Sequence, residues 1–183
     1  LRMVRELLHA GERVSLILTS AGRQVLNYET GLNWSEDIKQ RRHQVQEHFA
    51  SIAVESLAID DYWAGSASGS ATTDAMIVIP CSMGTAARLA AGVSGNLVER
   101  AADVVLKERK ELILVPRETP LNQIHLENLL KLSRAGAHIL PAMPGFYHRP
   151  QTIDDLVNHV IGKVLDSLDI EHTLFPRWGQ LQE

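Results

Sequence analysis

The chain contains 183 residues, of which 45% are hydrophobic, and this length predicts one globular domain over residues 1–183 with a core of its own. Its formal net charge of -4 argues against nucleic acid as the main partner, because nucleic-acid-binding proteins present a basic surface. The single cysteine excludes an internal disulfide framework, and no apolar run is long enough to cross a bilayer or to resemble a secretory signal. The eight histidines lack the spacing of a metal site, so we expect a cytoplasmic protein without a bound metal, nucleic acid or membrane.

The beginning of the chain shows a helical pattern, then a strand pattern, then a second helical pattern. Residues 1–11 place leucine and valine at helical spacing and end at a glycine, which predicts an amphipathic helix. Residues 14–18 form a short apolar run typical of a buried strand. Thr19 and Ser20 then supply hydroxyl groups that favour a helix start, and this helix is expected to end near Glu29.

Two polar segments follow, and neither carries a clear chemical signature. Residues 35–49 are rich in charges of both signs, which predicts an exposed helix or loop excursion with a solvated face rather than an anion-binding patch. Residues 60–70 have the composition of a turn-rich loop. The stretch 66–69 superficially resembles a phosphate cradle, but it does not lie between a strand and a helix, so the motif is weak.

The most informative stretch is residues 76–108. It opens with a continuous apolar run over residues 76–79, bounded by Pro80, which favours a strand buried on both faces. Ser82 and Thr85 then supply capping hydroxyl groups to a helix made of small residues. The N–H groups and the dipole at such a helix start bind anions well. The alternative is that Ser82 serves only as a helix cap.

The lone cysteine, Cys81, lies directly after this strand. A cysteine becomes a nucleophile when a neighbouring group stabilises its thiolate or removes its proton. No histidine stands beside Cys81 in the sequence, so we expect that it is not the reactive group.

Arg117 and Glu118 follow a further predicted strand. A helix over residues 96–109 precedes a buried strand over residues 112–115, and the two charged residues come soon after it. They could form a salt bridge that braces a turn between two prolines, or their side chains could face a ligand at the sheet edge. The pattern alone leaves both readings open.

The last part of the chain again alternates between helix and strand. A predicted helix precedes a short strand over residues 138–140 and a turn-rich loop over residues 142–147. The final helix carries an apolar stripe over residues 153–168, with Lys163 at its edge. The aromatic and basic tail, residues 175–178, is expected to pack on a neighbour.

The repeated alternation of buried strands and helices predicts an α/β domain of three layers, with a Rossmann- or flavodoxin-like parallel sheet and helices on both faces. Ligands of such folds bind at the carboxyl ends of the strands. Dinucleotide binding is the obvious function of this architecture, but the sequence has no GxGxxG motif with a downstream acid. A different ligand is therefore expected.

Two long motifs carry a family resemblance. PCSMGTAARLAAGVSGNLVERAADVVLKE and, after it, LILVPRETPLNQIHLENLLKLSRAGAHILPAMPGFYHRPQTIDDLV closely resemble the flavin prenyltransferases of the UbiX type. The resemblance runs in order over residues 14–168. It implies an enzyme that transfers a dimethylallyl group from dimethylallyl phosphate to N5 and C6 of reduced FMN. The product, prenylated FMN, would serve a UbiD-type decarboxylase.

The resemblance also carries expectations about assembly and about the start of the chain. Members of this family form closed homo-oligomers, typically dodecamers, with the pocket at an interface, and we expect the same here. They begin with a strand and a glycine- and serine-rich phosphate loop. This sequence starts in the helix that follows that loop, so we expect that the strand and loop are missing from it.

Several residues match family positions around the flavin. Glu118 is expected to shuttle the proton, either to the leaving phosphate or from the closing ring, with Glu29 assisting at the flavin. Gly84 replaces a bulkier residue that is common in the motif, so the flavin edge is expected to be less tightly covered. The residues that match the flavin-binding set are Ser20, Ser82, Met83, Gly84, Thr85 and Arg117.

A second set of residues matches family positions around the prenyl phosphate. Tyr147, Lys163 and Lys107 are expected to stabilise the negative charge on the departing phosphate. Lys163 stands where some members carry arginine, which keeps the charge but loses bidentate geometry. Trp178 and the loop at residues 62–63 are expected to supply aromatic walls for the allylic cation.

Two other functions stay open. A related flavoprotein family uses FMN to decarboxylate C-terminal or pantothenoyl cysteine, but its motif after the central strand contains Pro-x-Met-Asn, whereas this chain reads PCSMGT. A non-catalytic FMN carrier or accessory subunit would bind the flavin without altering it. The residues of the second phosphate site argue against a carrier.

Overall fold

The computed structural model describes residues 1–70 and 73–179, along which helices and strands alternate. None of the helices in these two ranges combines the length and the apolar character needed to cross a membrane. The strands are β1 (Val14–Ile17), β2 (Val54–Leu57), β3 (Ala75–Cys81), β4 (Glu111–Pro116) and β5 (His138–Ile139). The α-helices are α1 (Arg2–His9), α2 (Ser20–Thr30), α3 (Ile38–Phe49), α4 (Met83–Ala90), α5 (Leu97–Lys107), α6 (Gln123–Arg134) and α7 (Ile153–Ser167).

The strands of the described residues pair in parallel. They form two sheets where the sequence predicts one: β1 pairs with β2 in the smaller sheet, and β4 lies between β3 and β5 in the larger sheet. Ile113 of β4 stands opposite Ile77 on one side and opposite His138 on the other. Because parallel strands place their carboxyl ends at one edge of the sheet, β3, β4 and β5 all end on the same side of the molecule.

Alternate side chains of β4 pack against helices on opposite faces of the sheet. Leu112 and Leu114 are fully buried in a cluster with residues of α4, α5 and α6. Ile113 and Val115 are buried in a second cluster with residues of α1 and α7. Burial of each such side chain stabilises the fold by about 1.5–3 kcal/mol. These two clusters confirm the three-layer α/β architecture predicted from the sequence.

The strands differ from the prediction at two places. β2 is missing from the sequence prediction because Glu55 and Ser56 interrupt its apolar pattern, although Ser56 is completely buried. β3 continues through Pro80 to Cys81, whereas the sequence pattern ends the strand before the proline. The pairing of β3 with β4 is irregular between Val78 and Cys81, so the missing N–H of Pro80 interrupts no regular ladder.

Residues 38–49 form helix α3, which has the predicted solvated face but buries part of its other side. Val45 is completely buried, and Arg41 is only 7% exposed. Arg41 Nε donates a hydrogen bond to Ser56 Oγ at 3.0 Å, and Arg41 Nη1 donates to two main-chain carbonyls in the turn before α3. Arg41 therefore fastens α3 to β2 instead of facing solvent.

The tail after α7 packs on its own chain, although the sequence pattern suggests contact with a neighbour. Phe175 is 7% exposed and lies over Gly162 of α7. Arg177 Nη1 lies 2.7 Å from Asp166 Oδ2, and His172 Nε2 lies 3.1 Å from Asp166 Oδ1. We call Asp166, His172 and Arg177 the tail clamp. It holds the tail against α7.

The tail clamp is expected to weaken in acid. The hydrogen bond from Arg177 is the largest cause that lowers the pKa of Asp166 from 3.8 to about 2. Because the folded pKa lies below the unfolded one, the carboxylate stabilises the fold fully above a pH of about 4, and this stabilisation is lost as the pH falls through about 2. Urea unfolding of the parent and of Asp166→Asn should therefore differ near neutral pH and converge near pH 2. A difference that is independent of pH would contradict this role.

Candidate functional site at the carboxyl edge

The carboxyl edge of the sheet gathers several of the predicted site residues. β3 leads into Ser82 at the start of α4, and β4 leads into Arg117. The Arg117 N–H donates to the carbonyl of Cys81 at 3.4 Å, which joins the two strand ends. The Ala142 N–H donates to the carbonyl of Pro116 at 2.9 Å, so the loop after β5 lies at the same edge.

The start of α4 presents hydrogen-bonding groups to solvent. Ser82 caps the helix, because its Oγ atom accepts from the Thr85 N–H at 3.2 Å and lies 3.0 Å from the Thr85 hydroxyl oxygen. A Cβ atom added at Gly84 would meet no side chain closer than 3.6 Å, so the backbone there is open to approach. The N–H groups of a first helical turn have no partner within the helix, and the helix dipole favours an anion. This arrangement suits a phosphate or another acceptor-rich group.

Met83 is the first residue of α4, and its side chain points into the core. Its side chain is 6% exposed and belongs to the core cluster beneath α4. Ala86 and Ala90 lie in the same cluster, and their small side chains allow the helix to pack closely on the sheet. The side chain of Met83 therefore serves the fold, and its N–H belongs to the helix start.

Arg88 places a positive charge beside the start of α4. Its Nη2 atom lies 3.4 Å from the Thr85 hydroxyl oxygen, and its Nε atom donates to Glu99. Burial opposes the ionisation of Glu99, yet hydrogen bonds from Arg88, Gly95 and Asn96 lower its pKa below the usual value. Glu99 therefore stays charged and holds Arg88. The sequence prediction omits Arg88, although its spacing of three residues from Thr85 places the two on one helix face.

Helix α2 separates two residues that were predicted to act together. Thr19 caps the helix by accepting a hydrogen bond from the Gly22 N–H at 2.9 Å, and Ser20 is the first helical residue. Ser20 is exposed close to the end of β1. Glu29 lies nine residues further on, a separation of roughly 14 Å along the helix axis. The structure thus keeps Ser20 near a strand end and places Glu29 at the far end of α2.

Arg117 and Glu118 do not form the salt bridge that would brace their turn. Both side chains are exposed, and within residues 1–70 and 73–179 no ion pair joins them. Glu118 Oε1 accepts a hydrogen bond from the Thr119 N–H at 3.0 Å. A guanidinium group and a carboxylate are therefore both accessible to a ligand at the end of β4.

Tyr147, Trp178 and Lys163, which were predicted to bind one substrate, lie close together. The rings of Tyr147 and Trp178 meet edge to face with centroids 5.1 Å apart, and Trp178 is 77% exposed. The Tyr147 hydroxyl oxygen lies 3.2 Å from Nε2 of His159. Lys163 follows His159 by four residues on α7, so the two side chains share one helix face. The loop before α7, the helix itself and the tail thus meet at one place.

An open cavity of about 580 Å³ lies between α7 and the end of β5. His159 and Lys163 line it from α7, and Leu140, Pro141 and Met143 line it from the segment after β5. Lys163 Nζ lies 3.4 Å from the carboxylate of the tail clamp and remains half-exposed. The cavity combines apolar walls with a cation, which suits a small ligand with an apolar body and an anionic head.

Lys107 lies at the opposite edge of the sheet. It ends α5, the crossover helix that returns from the end of β3 to the start of β4 at Glu111. Its ammonium group pairs with Glu108, and both side chains lie against Gly69. β4 has six residues, so Lys107 is about one strand length, roughly 20 Å, from Arg117. Within one chain, Lys107 is not part of the carboxyl-edge site.

The loop after β2 runs along α5 from one edge of the sheet to the other. The Leu97 N–H donates to the carbonyl of Ile59 at 2.7 Å, and Arg100 Nε donates to the carbonyl of Ala67 at 3.1 Å. Trp63, in the first part of this loop, is 98% exposed. The aromatic residues 62–63 therefore form no wall of the cavity beside Lys163 within one chain.

Cys81 is completely buried beneath the start of α4. Burial raises the pKa of its thiol to about 11, so the thiol is protonated at neutral pH. This state supports the prediction that Cys81 is not a nucleophile. In the part of the chain that the structure describes, no group of three or more His, Cys, Asp or Glu side chains is placed to hold a metal ion.

Comparison with known proteins identifies the family. The sequence model of the flavoprotein family matches residues 1–171. A protein of Alkalihalophilus pseudofirmus named flavin prenyltransferase UbiX is 54% identical over 181 residues, which are 98% of this chain and 88% of the relative. The chain belongs to the UbiX family of flavin prenyltransferases.

Two solved UbiX-type structures resemble this chain along nearly its whole length. A UbiX protein in complex with FMN and dimethylallyl pyrophosphate is 35% identical with a TM-score of 0.87, covering 99% of this chain and 90% of that one. A dodecameric FMN-dependent UbiX-like decarboxylase from Escherichia coli O157:H7 is 41% identical with a TM-score of 0.82, covering 97% and 92% of the two chains. These scores confirm that the chain has the fold of the UbiX family.

Proposed function

We propose that this protein is a flavin prenyltransferase that transfers a dimethylallyl group from dimethylallyl phosphate to N5 and C6 of reduced FMN. A relative at 54% identity is named for this activity, and a solved relative contains FMN and dimethylallyl pyrophosphate. The observation that carries the proposal is the presence of two groups of side chains whose chemistry suits an anion. One lies around Ser82 and Arg117, and the other around Tyr147 and Lys163. A flavin carrier would need only the first group.

The first group has the donors that FMN requires. Ser82 and Thr85 offer hydroxyl groups at the start of α4, and Arg117 adds a guanidinium group at the end of β4. Ser20 adds a hydroxyl group near the end of β1, and the open backbone at Gly84 permits close approach of a ring. These donors suit the phosphate and the polar edge of a flavin. Reduced FMN supplies the electron-rich atoms that accept the dimethylallyl group.

The second group holds the donor substrate in this proposal. Negative charge grows on the phosphate as its bond to the dimethylallyl group breaks. The Lys163 ammonium group and the Tyr147 hydroxyl group stabilise this charge, because a fixed cation and a fixed donor are most effective where water is excluded. Trp178 lies against Tyr147 and offers a π face to the allylic cation.

Glu118 moves the proton in this proposal. Its exposed carboxylate follows β4 next to Arg117, and the hydrogen bond from the Thr119 N–H leaves acceptor capacity free. A carboxyl group in this place can accept the proton released on ring closure or give one to the leaving phosphate. Glu29, at the far end of α2, is proposed to assist at the flavin.

We propose that Lys107 binds the prenyl phosphate of a neighbouring subunit. Its place at the opposite edge of the sheet means that this contact requires a second copy of the chain. A solved relative is described as dodecameric. A closed homo-oligomer of the same size would bring such edges together and cover exposed apolar side chains of α6 and α7. These side chains are Ile124, Leu126, Leu130, Ile153 and Val157.

The product and the setting of the reaction complete the proposal. The enzyme makes a modified flavin and does not use it, so a UbiD-type decarboxylase is proposed to receive prenylated FMN. The substrate is a reduced flavin and the only cysteine is a free thiol, and both fit the reducing cytoplasm. Residues 1–183 are proposed to act as one domain.

The mass of the flavin tests the proposal directly. The protein is incubated without oxygen with reduced FMN and dimethylallyl phosphate, and the flavin is then extracted. A gain of one dimethylallyl unit is expected. Unchanged flavin that co-purifies with the protein would contradict the proposal and favour a carrier, and release of carbon dioxide from a peptide ending in cysteine would favour the cysteine decarboxylase.

A further inference from the structure

His159 of α7 contacts the predicted substrate-binding tyrosine through one edge of its ring and the main chain through the other. Its Nε2 atom lies 3.2 Å from the Tyr147 hydroxyl oxygen. Its Nδ1 atom accepts a hydrogen bond from the Gly145 N–H at 3.2 Å. A Cβ atom added at Gly145 would lie within 3.1 Å of both rings, so the glycine allows the loop to fold tightly onto α7. His159 thereby joins the loop to the helix.

The contact with Gly145 fixes which nitrogen of His159 carries the proton. A main-chain N–H can only donate, so Nδ1 must be the unprotonated acceptor. The neutral ring then carries its hydrogen on Nε2, and Nε2 donates to the oxygen of Tyr147. Because that oxygen is already an acceptor from His159, the hydroxyl hydrogen of Tyr147 is left to point away from the histidine.

The surroundings of His159 favour its neutral form. The ring is 7% exposed and stacks on His148, with centroids 5.1 Å apart and planes at 4°. Burial is the main cause that lowers the pKa of His159, and the positive charges of His148 and Lys163 add to it, while Asp166 opposes them. The charged and titratable groups that face the ring or share its cavity are Tyr147, His148, Lys163, Asp166 and His138.

We infer that His159 is a positioning residue, which orients the Tyr147 hydroxyl group so that its hydrogen is donated to the phosphate of dimethylallyl phosphate. This inference rests on the proposed function, because it assigns a task to Tyr147 in binding that substrate. Lys163 lies on the same helix face as His159, and both line the cavity of about 580 Å³. The Tyr147 hydroxyl oxygen lies 3.2 Å from His159 Nε2, which brings the hydroxyl group close to the wall of this cavity. His159 acts through Tyr147 and does not itself touch the substrate.

A binding experiment that needs no turnover tests this role. Titration calorimetry measures the affinity of dimethylallyl phosphate for the protein loaded with oxidised FMN. Loss of one hydrogen bond to a charged group should weaken binding about tenfold in His159→Phe and in Tyr147→Phe. If His159 acts through the hydroxyl group, the double variant should bind no more weakly than Tyr147→Phe alone.

Two further variants separate orientation from packing. His159→Gln keeps an N–H donor near the position of Nε2 and should recover most of the affinity. His148→Phe is the matched control, because His148 has the other ring of the stack and both of its ring nitrogens lack a hydrogen-bond partner. It should leave the affinity unchanged.

The possible results distinguish this inference from the proposed function. Unchanged affinity in His159→Phe, or an equal loss in the parent and in the Tyr147→Phe background, would overturn the inference even if the parent prenylates FMN. A parent that binds dimethylallyl phosphate with the expected pattern but leaves the flavin mass unchanged would overturn the proposed function and support the role of His159. A parent that does not bind the substrate would overturn both.

Discussion

Replacement of Glu118 by glutamine is expected to slow prenylation of FMN by about 10²–10⁴-fold. Glutamine has nearly the same shape but can neither accept nor release the proton that the carboxyl group moves. FMN affinity should change little, because the described contact of Glu118 is with the Thr119 N–H of its own chain. Single-turnover conversion, followed by the mass of the flavin, measures the rate, and quenching of flavin fluorescence measures the affinity.

Glu111→Gln is the matched control for this variant. Glu111 is an exposed glutamate at the amino end of the same strand β4, at the other edge of the sheet. Its replacement should leave the rate unchanged. Equal slowing in both variants would mean that the loss of charge disturbs the fold or assembly, and would contradict the role of Glu118 as the proton shuttle.

Mixed oligomers extend the same experiment to Lys107. Glu118→Gln and Lys107→Ala subunits should each be slow alone. When they assemble together, some sites combine an intact Glu118 from one chain with an intact Lys107 from its neighbour, so activity should return in part. No recovery in mixed oligomers would contradict the proposal that Lys107 acts across a subunit interface.

Gly162→Ala is expected to lower the free energy of unfolding by about 1–2 kcal/mol. In a helix interior, alanine stabilises the fold by about 1 kcal/mol relative to glycine. Here, however, the new Cβ atom would lie closer than 3.0 Å to ring carbons of Phe175 and His172. The buried ring of Phe175 must then move, and Trp178 moves away from Tyr147 with it. Urea unfolding measures the stability, and the fluorescence of the tail tryptophan reports its displacement.

Gly84→Ala is the control for the stability that alanine adds to a helix relative to glycine. Gly84 lies in α4, where an added Cβ atom would meet no side chain closer than 3.6 Å. This substitution should raise the stability of the free protein by up to about 1 kcal/mol and leave the tail in place. A similar rise in stability in Gly162→Ala would contradict the close packing of Phe175 on α7.

The sequence predicts β4 well because its burial is nearly complete, whereas residues 76–79 of β3, predicted to be buried on both faces, are only partly buried. Leu112, Ile113 and Leu114 of β4 are buried on both faces, so the strand is a continuous apolar run that stands out from helical patterns. β2 has no such run. Its Glu55 is exposed and accepts a hydrogen bond from Ser15 of β1 at 3.1 Å, a contact between residues that are 40 positions apart. A short strand that depends on a distant partner leaves little trace in its own pattern.

The site residues also divide into those that local order along the chain places and those that depend on distant contacts. Ser82 and Arg117 follow strands, and local order along the chain is enough to place them at a sheet edge. His159 is different, because its task depends on a loop tyrosine 12 positions earlier and on a main-chain N–H. Lys107 shows a further limit. Its motif position suggests the phosphate site, but the direction of α5 carries it to the other edge, which only the path of the chain reveals.

The tail clamp allows Lys163 to leave its partner Asp166 at a small energetic cost. Asp166 lies 3.4 Å from Lys163 but only 2.7 Å from Arg177, and it also contacts His172. The half-exposed ion pair between Lys163 and Asp166 contributes no more than about 1 kcal/mol to the stability of the fold. When Lys163 turns towards an arriving phosphate, Asp166 keeps its two other partners and is not left as an uncompensated charge. In the proposed function, the Lys163 cation is thus held beside the cavity and turns to the substrate phosphate with almost no loss of stability.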